Sequence, residues 1–276
     1  MKTKFASFAL QTILLSQICT PLLPAQEVIT NPYRTDGFGA QFQTILFSMI
    51  YAELNHCPYL YTPFTSLEHN YHCDPDFLNK IEKLANLIDY YPINEDLALQ
   101  KKQSLGDFLE FFESHIEESL NSQALKDVKK LFRLNKDPKK YFGDNRFNIV
   151  VHIRRPNPHD SRIEGTDTPD SIFLNTIETL RTQLRSESPL FHICSQGDEN
   201  DFRDKYRGDD LVFHINASTE DTFTAMVLAD ALVMSGSSFS YTAALLSEGI
   251  VYYLPFWHPP MPHWKIINQN ASSDTL

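Results

Sequence analysis

The second half of the chain alternates two patterns of hydrophobic positions. Short runs rich in β-branched and aromatic residues are followed by segments in which apolar residues recur every three or four positions, the spacing of one helix face. The runs predict five strands, at residues 147–153, 190–194, 211–215, 231–234 and 250–254. Strands separated by helices are typical of a parallel sheet that is covered on both faces. We therefore expect an α/β fold with a doubly wound parallel sheet in this half.

The segments between these strands carry helix signals. Pro169 stands where proline suits the first turn of a helix, and residues 198–206 predict a shorter helix. The apolar spacing around Phe223 predicts a third helix. Residues 238–247 predict a fourth, and we expect Gly249 to close it at a C′-like position.

The first half shows the same pattern more weakly. Residues 27–30 predict a short strand, and a turn at residues 36–40 with two glycines precedes a helix with one apolar face. Residues 75–134 predict further helices, and residues 136–144, which include proline and glycine, predict a linker. We expect two Rossmann-like α/β lobes, the first rich in helix, with a cleft between them. Their expected bounds are residues 26–145 and 146–276.

The start of the chain is typical of a targeting segment. Lys2 and Lys4 precede an apolar run at residues 5–15, and Ala25 offers a small residue for cleavage. The run is shorter than the roughly 20 apolar residues that a spanning helix needs. We expect residues 1–25 to be a signal peptide, with an uncleaved membrane anchor or a misread helix as the alternatives. No later stretch is apolar enough to span a bilayer.

Charge and cysteine content narrow the function classes. The chain has 24 basic and 35 acidic residues, a net charge of -11, so it lacks the general basic surface that nucleic acids and anionic membranes require. We expect no nucleic-acid partner, and any bound phosphate must be held by a local cluster. The four cysteines include no C-x-x-C pair, which argues against a disulfide scaffold and a zinc site.

Polar residues follow the predicted strands, at the edge of the sheet where such folds bind ligands. Arg154 and Arg155 follow the first strand, and a serine-rich turn at residues 235–238 follows the fourth. Arginine offers a planar fork of donors to phosphate oxygens, and the start of a helix favours an anion. Together they predict a diphosphate site. The alternatives are a surface arginine pair satisfied by acidic residues, and serines that only cap a helix.

Three segments carry a resemblance to a known family. His152-Ile153-Arg154-Arg155 resembles the H-x-R-R motif of the fucosyltransferase superfamily, which includes α-1,2-, α-1,6- and protein O-fucosyltransferases. Residues 36–43 are similar to the glycine-glutamine motif of the α-1,2 branch, and residues 229–240 to the third superfamily motif. The resemblance implies a GT-B-like fold, GDP-fucose as the donor, inversion at the sugar carbon and no metal cofactor. It also implies a glycan or glycoprotein acceptor on the side of the N-terminal lobe.

The resemblance also assigns residues to roles. Arg154 and Arg155 would contact the donor diphosphate, and His152 would lie beside the nucleotide. The remaining donor-binding residues that the motifs imply are Gly37, Gly39, Ser235, Ser237, Ser238 and Phe239. Asp221 would read the guanine edge, with Glu220 as the alternative, because a carboxylate accepts well from two neighbouring donors. Many relatives continue the arginine motif with Gly-Asp, whereas this chain has Pro156-Asn157 and its first acid is Asp160.

The arginines and the helix start would stabilise the charge that develops on the leaving diphosphate, so Arg154 and Arg155 are candidate catalytic residues. An acceptor hydroxyl also needs a general base. The loop after the first strand offers Asp160, placed in the catalytic set, together with His159, Glu164 and Asp167. The choice among them stays open.

Two other function classes compete with a transferase. A non-catalytic protein that binds a glycan or a nucleotide sugar would share the fold and the cleft. A serine hydrolase is disfavoured, because Ser240 stands where the nucleophile motif around Ser238 requires glycine. The only acid between Ser238 and His258 is Glu248, so the triad order also fails.

A signal peptide and a nucleotide-sugar donor together predict the lumen of the Golgi or endoplasmic reticulum, if the chain is eukaryotic.

Overall fold

A computed structural model describes residues 27–70, 72–143, 146–155 and 168–267. The expected targeting segment at residues 1–25 and the candidate catalytic Asp160 lie outside the described residues. Within the described ranges, no helix has the length and apolar character needed to cross a membrane.

The N-terminal half is mainly helical. In chain order it contains β1 (Ile29–Thr30), α1 (Phe38–Leu54), β2 (Tyr59–Leu60), α2 (Phe77–Ala85), α3 (Leu97–Lys102), α4 (Leu105–Ser114), α5 (Ile116–Asn121), α6 (Gln123–Arg133) and α7 (Pro138–Phe142). The helix-rich prediction for residues 75–134 is confirmed. A Rossmann-like sheet is not confirmed here, because the described strands of this half are β1 and β2, paired in parallel, with one further bridge between Tyr61 and Ile93. The expected linker contains α7.

The C-terminal half alternates strands and helices as predicted. It contains β3 (Phe147–His152), α8 (Asp170–Gln183), β4 (Pro189–Ser195), α9 (Glu199–Lys205), β5 (Leu211–Ile215), α10 (Thr219–Leu228), β6 (Ala231–Val233), α11 (Ser238–Leu246), β7 (Ile250–Tyr253) and β8 (Lys265–Ile266). Across the described residues these strands form one parallel sheet in the order β5-β4-β3-β6-β7-β8. Counted from β3, this is the 3-2-1-4-5-6 order of the Rossmann fold, and it reverses direction between β3 and β6.

Helices cover both faces of this sheet, which explains its continuous apolar strands. Successive side chains of a strand point to opposite faces. Ile149 and Val151 of β3 therefore pack in the cluster that contains Phe173 of α8, whereas Val150 packs in the cluster that contains Phe223 of α10. The second cluster also includes apolar residues of α1, α2, α4 and α6, so one core joins the N-terminal helices to the sheet.

Helix α1 packs closely on α11. Gly39 makes this possible, because a Cβ atom at that position would lie 2.3 Å from the Phe239 Cα and 2.6 Å from its backbone nitrogen. The hydroxyl of Thr242 in α11 donates to the Gly39 carbonyl at 2.8 Å. The rings of Phe38 and Phe223 meet edge to face next to this contact, with centroids 4.9 Å apart. The start of α1 is therefore fixed against the start of α11.

The expected role of Gly249 as a left-handed helix end is wrong. Helix α11 ends at Leu246, and Gly249 is not among the residues of positive φ. A Cβ atom there would instead lie 2.4 Å from the Ala229 carbonyl oxygen and 2.6 Å from that of Asp230. Gly249 is thus required for the close passage of the chain past the start of β6.

Candidate functional site

A cleft of about 1150 Å³, open solvent included, lies at the carboxyl ends of β3 and β6. This is where the strand order reverses, the position at which open α/β sheets bind ligands. The C-terminal half contributes His152, Arg154, Arg155, Gln196, Thr219, Thr222, Gly236, Ser237, Ser238, Phe239 and Trp257, and the N-terminal half contributes Gly37, Gly39, Glu68, His69 and Phe77. Residues from both halves of the chain therefore line the cleft, and the division into two lobes stays a prediction.

His152 lines the cleft and joins the end of β3 to Ser235, which follows β6, is fully buried and is not in the cleft lining. The Ser235 hydroxyl and the His152 Nδ1 atom are 2.9 Å apart, and both residues are buried. The Phe239 ring lies against the imidazole, with centroids 5.6 Å apart. Burial, with a smaller effect of the Arg154 charge, lowers the pKa of His152 to about 3. The imidazole is therefore neutral at physiological pH and adds no charge to the cleft.

Substituting His152→Asn should reduce the acid sensitivity of folding. The pKa of His152 in the folded protein lies below the ordinary value of about 6.5. Between these two pKa values the unfolded chain therefore binds a proton at His152 and the folded protein does not. As the pH falls from about 6.5 towards 3, this difference lowers the free energy of unfolding by up to about 1.4 kcal/mol per pH unit. Above about pH 6.5 it has no effect on the free energy of unfolding. Urea unfolding of both proteins between about pH 7 and pH 4.5 measures this slope.

The relevant quantity is the difference between the two proteins, because His214, His258 and His263, whose pKa values are also lowered by burial, are common to both. Asparagine keeps a hydrogen-bonding group near Ser235 but does not titrate. Stability curves that run parallel over this pH range would show that His152 is not the group responsible.

Arg155 lines the cleft and also belongs to an ionic cluster at the start of α8. Its guanidinium forms an ion pair with Asp170 and donates to the Thr168 carbonyl oxygen at 3.2 Å. Asp170 also accepts from the Tyr206 hydroxyl at 2.6 Å and the Lys205 ammonium at 2.9 Å. Burial raises the pKa of Asp170, but these two hydrogen bonds and the Arg155 charge outweigh it and hold that pKa below its ordinary value. The cluster fixes Arg155 at the edge of the cleft.

The acidic partner of Arg155 matches the alternative in which acidic residues satisfy the arginines. Asp170 pairs with the Nη2 nitrogen of Arg155, and Arg155 is at the same time part of the cleft lining. Arg154 is half-buried and also lines the cleft. The structure thus brings both predicted arginines to the cleft, and their contact with a diphosphate stays a prediction.

The serine turn opens α11 towards the cleft. Ser237 is the N-cap, and its hydroxyl oxygen accepts from the Phe239 N–H at 3.2 Å. The Ser240 hydroxyl donates to the Ser235 carbonyl oxygen at 3.0 Å, which tightens the turn. Ser237 therefore caps the helix, and Ser238 lies beside it on the cleft lining. Capping and anion binding use the same end of a helix, so the predicted phosphate role remains compatible with this geometry.

The two glycines of the N-terminal motif line the cleft, and protein atoms surround them. A Cβ atom on Gly37 would lie 2.6 Å from the Cδ2 atom of His69, and Gly39 lies against the backbone of Phe239. Their small size therefore allows two protein segments to approach each other at the cleft. Direct approach of a ligand to either glycine stays a prediction.

The structure does not bring Asp221 into the lining of the cleft. This residue lies exposed in the first turn of α10, where its backbone N–H and its carboxylate both bond to the Ser218 hydroxyl, at 3.0 and 2.9 Å. Glu220 is not in the lining either, whereas Thr219 and Thr222 of the same helix are. Reading of the guanine edge by Asp221 therefore stays a prediction, and the two threonines are the α10 side chains nearest to that role.

Sequence reasoning missed the contribution of residues 68–77. Glu68, His69 and Phe77 line the cleft from the N-terminal side. Their segment has no hydrophobic period. It is held next to α1, because the Gln41 side-chain amide donates to the Ser66 carbonyl oxygen at 2.8 Å and the Glu68 N–H donates to the Asp36 carbonyl oxygen at 3.3 Å. Over the described ranges, no three His, Cys, Asp or Glu side chains come together as a metal site requires.

Solved structures of fucosyltransferases are similar to this chain. The alpha-1,6-fucosyltransferase NodZ co-crystallised with GDP is 10% identical, over 80% of this chain and 93% of that chain, with a TM-score of 0.43. NodZ from Bradyrhizobium is 9% identical, over 80% and 94% of the two chains, with a TM-score of 0.43. NodZ soaked with GDP-fucose is 12% identical, over 80% and 93%, with a TM-score of 0.38. No family model and no curated protein matches the chain.

Proposed function

We propose that this protein is a glycosyltransferase that moves fucose from GDP-fucose to a hydroxyl group of an acceptor, with inversion. One observation carries the proposal: β3 and β6 end at the reversal of strand order, and the cleft there is lined by Arg154, Arg155 and the serine turn that opens α11. Guanidinium groups and a helix start are both suited to phosphate oxygens. Two of the three segments that resemble superfamily motifs, residues 152–155 and 229–240, lie at these same two strand ends.

The donor would lie across the strand ends with its diphosphate between β3 and β6. Departure of a nucleoside diphosphate leaves negative charge on its terminal phosphate. Fixed donors stabilise that charge more in the transition state than in the ground state, which accelerates the reaction. The buried bond between His152 and Ser235 holds the two strand ends in register beneath this charge. Since His152 is neutral, Arg154 and Arg155 supply the positive charge.

The acceptor hydroxyl must lose a proton as it attacks the sugar carbon. We assign this step to a carboxylate or imidazole of the loop after β3, where His159, Asp160, Glu164 and Asp167 are the candidates. Glu68 and His69 line the opposite side of the cleft and are the described groups that could take the same proton. The family resemblance implies transfer without a metal, so we expect activity in the presence of EDTA.

A transfer assay tests the proposal. The full chain is incubated with labelled GDP-fucose or GDP-mannose, a mixture of glycan and glycoprotein acceptors, and EDTA. We expect label in the acceptor and release of GDP from GDP-fucose, with less from GDP-mannose. Binding of GDP-fucose without transfer to any acceptor would favour the non-catalytic nucleotide-sugar-binding protein. The absence of both binding and transfer would contradict the proposal.

A further inference from the structure

Trp257 differs from the aromatic residues around it. Its side chain is 58% exposed and lines the cleft, whereas Trp264 and His258 are 6% exposed. Within the segment that follows β7, His258, Met261 and Trp264 are buried, whereas the Trp257 indole is exposed and lines the cleft. An apolar surface that stays in water forgoes the favourable free energy that its burial would supply. A ligand that covers this surface would recover that free energy.

The backbone on both sides of Trp257 is held by one hydroxyl group. The Tyr253 O–H donates to the His258 carbonyl oxygen at 2.5 Å, and the Phe256 N–H donates to the Tyr253 oxygen at 3.2 Å. The two residues that flank Trp257 in the chain are therefore fixed to β7. An aromatic side chain on a fixed backbone loses little conformational entropy when a ligand covers it.

The His258 ring ties the same segment to the N-terminal helices. Its Nδ1 atom lies 3.1 Å from the Glu113 carboxylate, and its Nε2 atom lies 3.0 Å from the Gln43 amide nitrogen. The Tyr241 ring stacks on the imidazole, with centroids 4.7 Å apart and planes 28° from parallel. The platform that carries Trp257 is thus connected to α1, α4 and α11.

Strand order separates Trp257 from the two arginines. Trp257 follows β7, which lies two strands from β3 in the sheet, a distance of about 10 Å between strand axes. Hydroxyl, carboxylate and imidazole groups line the same cleft, among them Ser238, Glu68 and His69. An apolar face bordered by hydrogen-bonding groups matches a pyranose ring, which has a face of C–H groups and an edge of hydroxyls.

We propose that Trp257 is the platform on which a pyranose ring of a glycan acceptor stacks. The inference rests on the proposed function, since it places the acceptor beside the sugar that the donor presents. It specifies the acceptor class as carbohydrate, and it assigns the indole to the acceptor end of the cleft, with the diphosphate at the end of β3.

A printed array of plant, animal and bacterial glycans tests this inference with the full chain at saturating GDP. The variants are Trp257→Ala and, as the matched control, Tyr90→Ala, because Tyr90 is 49% exposed and does not line the cleft. We expect the wild type and the control to bind the same glycans, and Trp257→Ala to bind them about tenfold or more weakly. GDP affinity, measured by calorimetry, should be the same in all three proteins.

Fluorescence gives a second, direct measurement, because Trp257 and Trp264 are the only tryptophans. In the Trp264→Phe variant all tryptophan emission comes from Trp257, and a bound array-positive glycan should change its intensity and wavelength. Unchanged emission at saturating glycan would contradict stacking.

The outcomes separate the two proposals. Glycan binding that survives Trp257→Ala, or a wild type that binds GDP but no glycan, overturns the platform and leaves the donor site standing. Loss of GDP affinity in Trp257→Ala with glycan binding intact also overturns it, since the indole would then serve the nucleotide. Glycan binding that depends on Trp257 in a protein that does not bind GDP supports the platform and overturns the proposed function.

Discussion

Gly39→Ala is expected to destabilise the protein by about 3 kcal/mol or more. The added methyl group would lie 2.3 and 2.6 Å from backbone atoms of Phe239, which cannot rotate away as the end of a side chain can. Helix α1 would have to move off α11, and the Thr242 bond to the Gly39 carbonyl would lengthen or break. Because both helices begin at the cleft, GDP binding should weaken together with stability. Urea unfolding and calorimetry measure the two effects.

Gly106→Ala is the matched control. Gly106 lies in α4, where a Cβ atom would meet only the Ser104 hydroxyl oxygen at 3.7 Å, an ordinary contact. Alanine is favoured over glycine in helices, so this variant should be unchanged or more stable by up to about 1 kcal/mol. Equal effects of the two substitutions would show that the packing of α1 on α11 is looser than the structure indicates.

Arg154→Ala is expected to reduce the release of GDP from GDP-fucose by about 100-fold to 1000-fold, the usual cost of removing one fixed donor from a developing anion. Arg154 lines the cleft after β3, where the proposed mechanism places its charge next to the leaving diphosphate. The ground-state affinity for GDP should fall less than the rate, because the guanidinium binds the transition state more strongly. Initial rates with GDP-fucose, by transfer or by slow hydrolysis, measure this.

Arg203→Ala controls for the removal of one arginine. Arg203 pairs with Glu199 within α9, and its side chain is 56% exposed and outside the cleft lining. Its loss should leave the rate within about twofold, since exposed pairs of this kind contribute little. Arg155→Ala is a less specific variant, because it also removes the partner of Asp170. A rate that falls equally in Arg154→Ala and Arg203→Ala would rule out a specific role for Arg154.

The sequence predicts the C-terminal sheet well because its central strands are buried on both faces. The predicted strand at residues 147–153 is β3 (Phe147–His152), and the predicted strand at residues 190–194 lies within β4 (Pro189–Ser195), all of whose residues are buried. A strand covered by helices on two sides must be apolar throughout, which leaves a clear run in the sequence. The edge strand β8 contains two exposed residues, Lys265 and Ile266, and leaves no such signal.

The sequence predicts those residues of the candidate site that directly follow a strand, and it does not predict the others. Residues that directly follow β3 and β6 must lie at the carboxyl edge of the sheet, so Arg154, Arg155 and Ser238 reach the cleft as expected. Asp221 lies in the first turn of α10, where a shift of one position moves a side chain from the cleft to the solvent. It is exposed to solvent. Glu68 and His69 depend on a contact between distant segments, which no local pattern encodes.

Calorimetric titration of GDP, GMP and UDP into the full chain, with EDTA present, tests the central claim most directly. GDP is expected to bind at least about tenfold more tightly than GMP, because the second phosphate adds charge-assisted hydrogen bonds at the arginines and the start of α11. GDP should also bind more tightly than UDP. Equal affinities for GDP and GMP, or no binding of any nucleotide, would contradict a diphosphate site at the junction of β3 and β6.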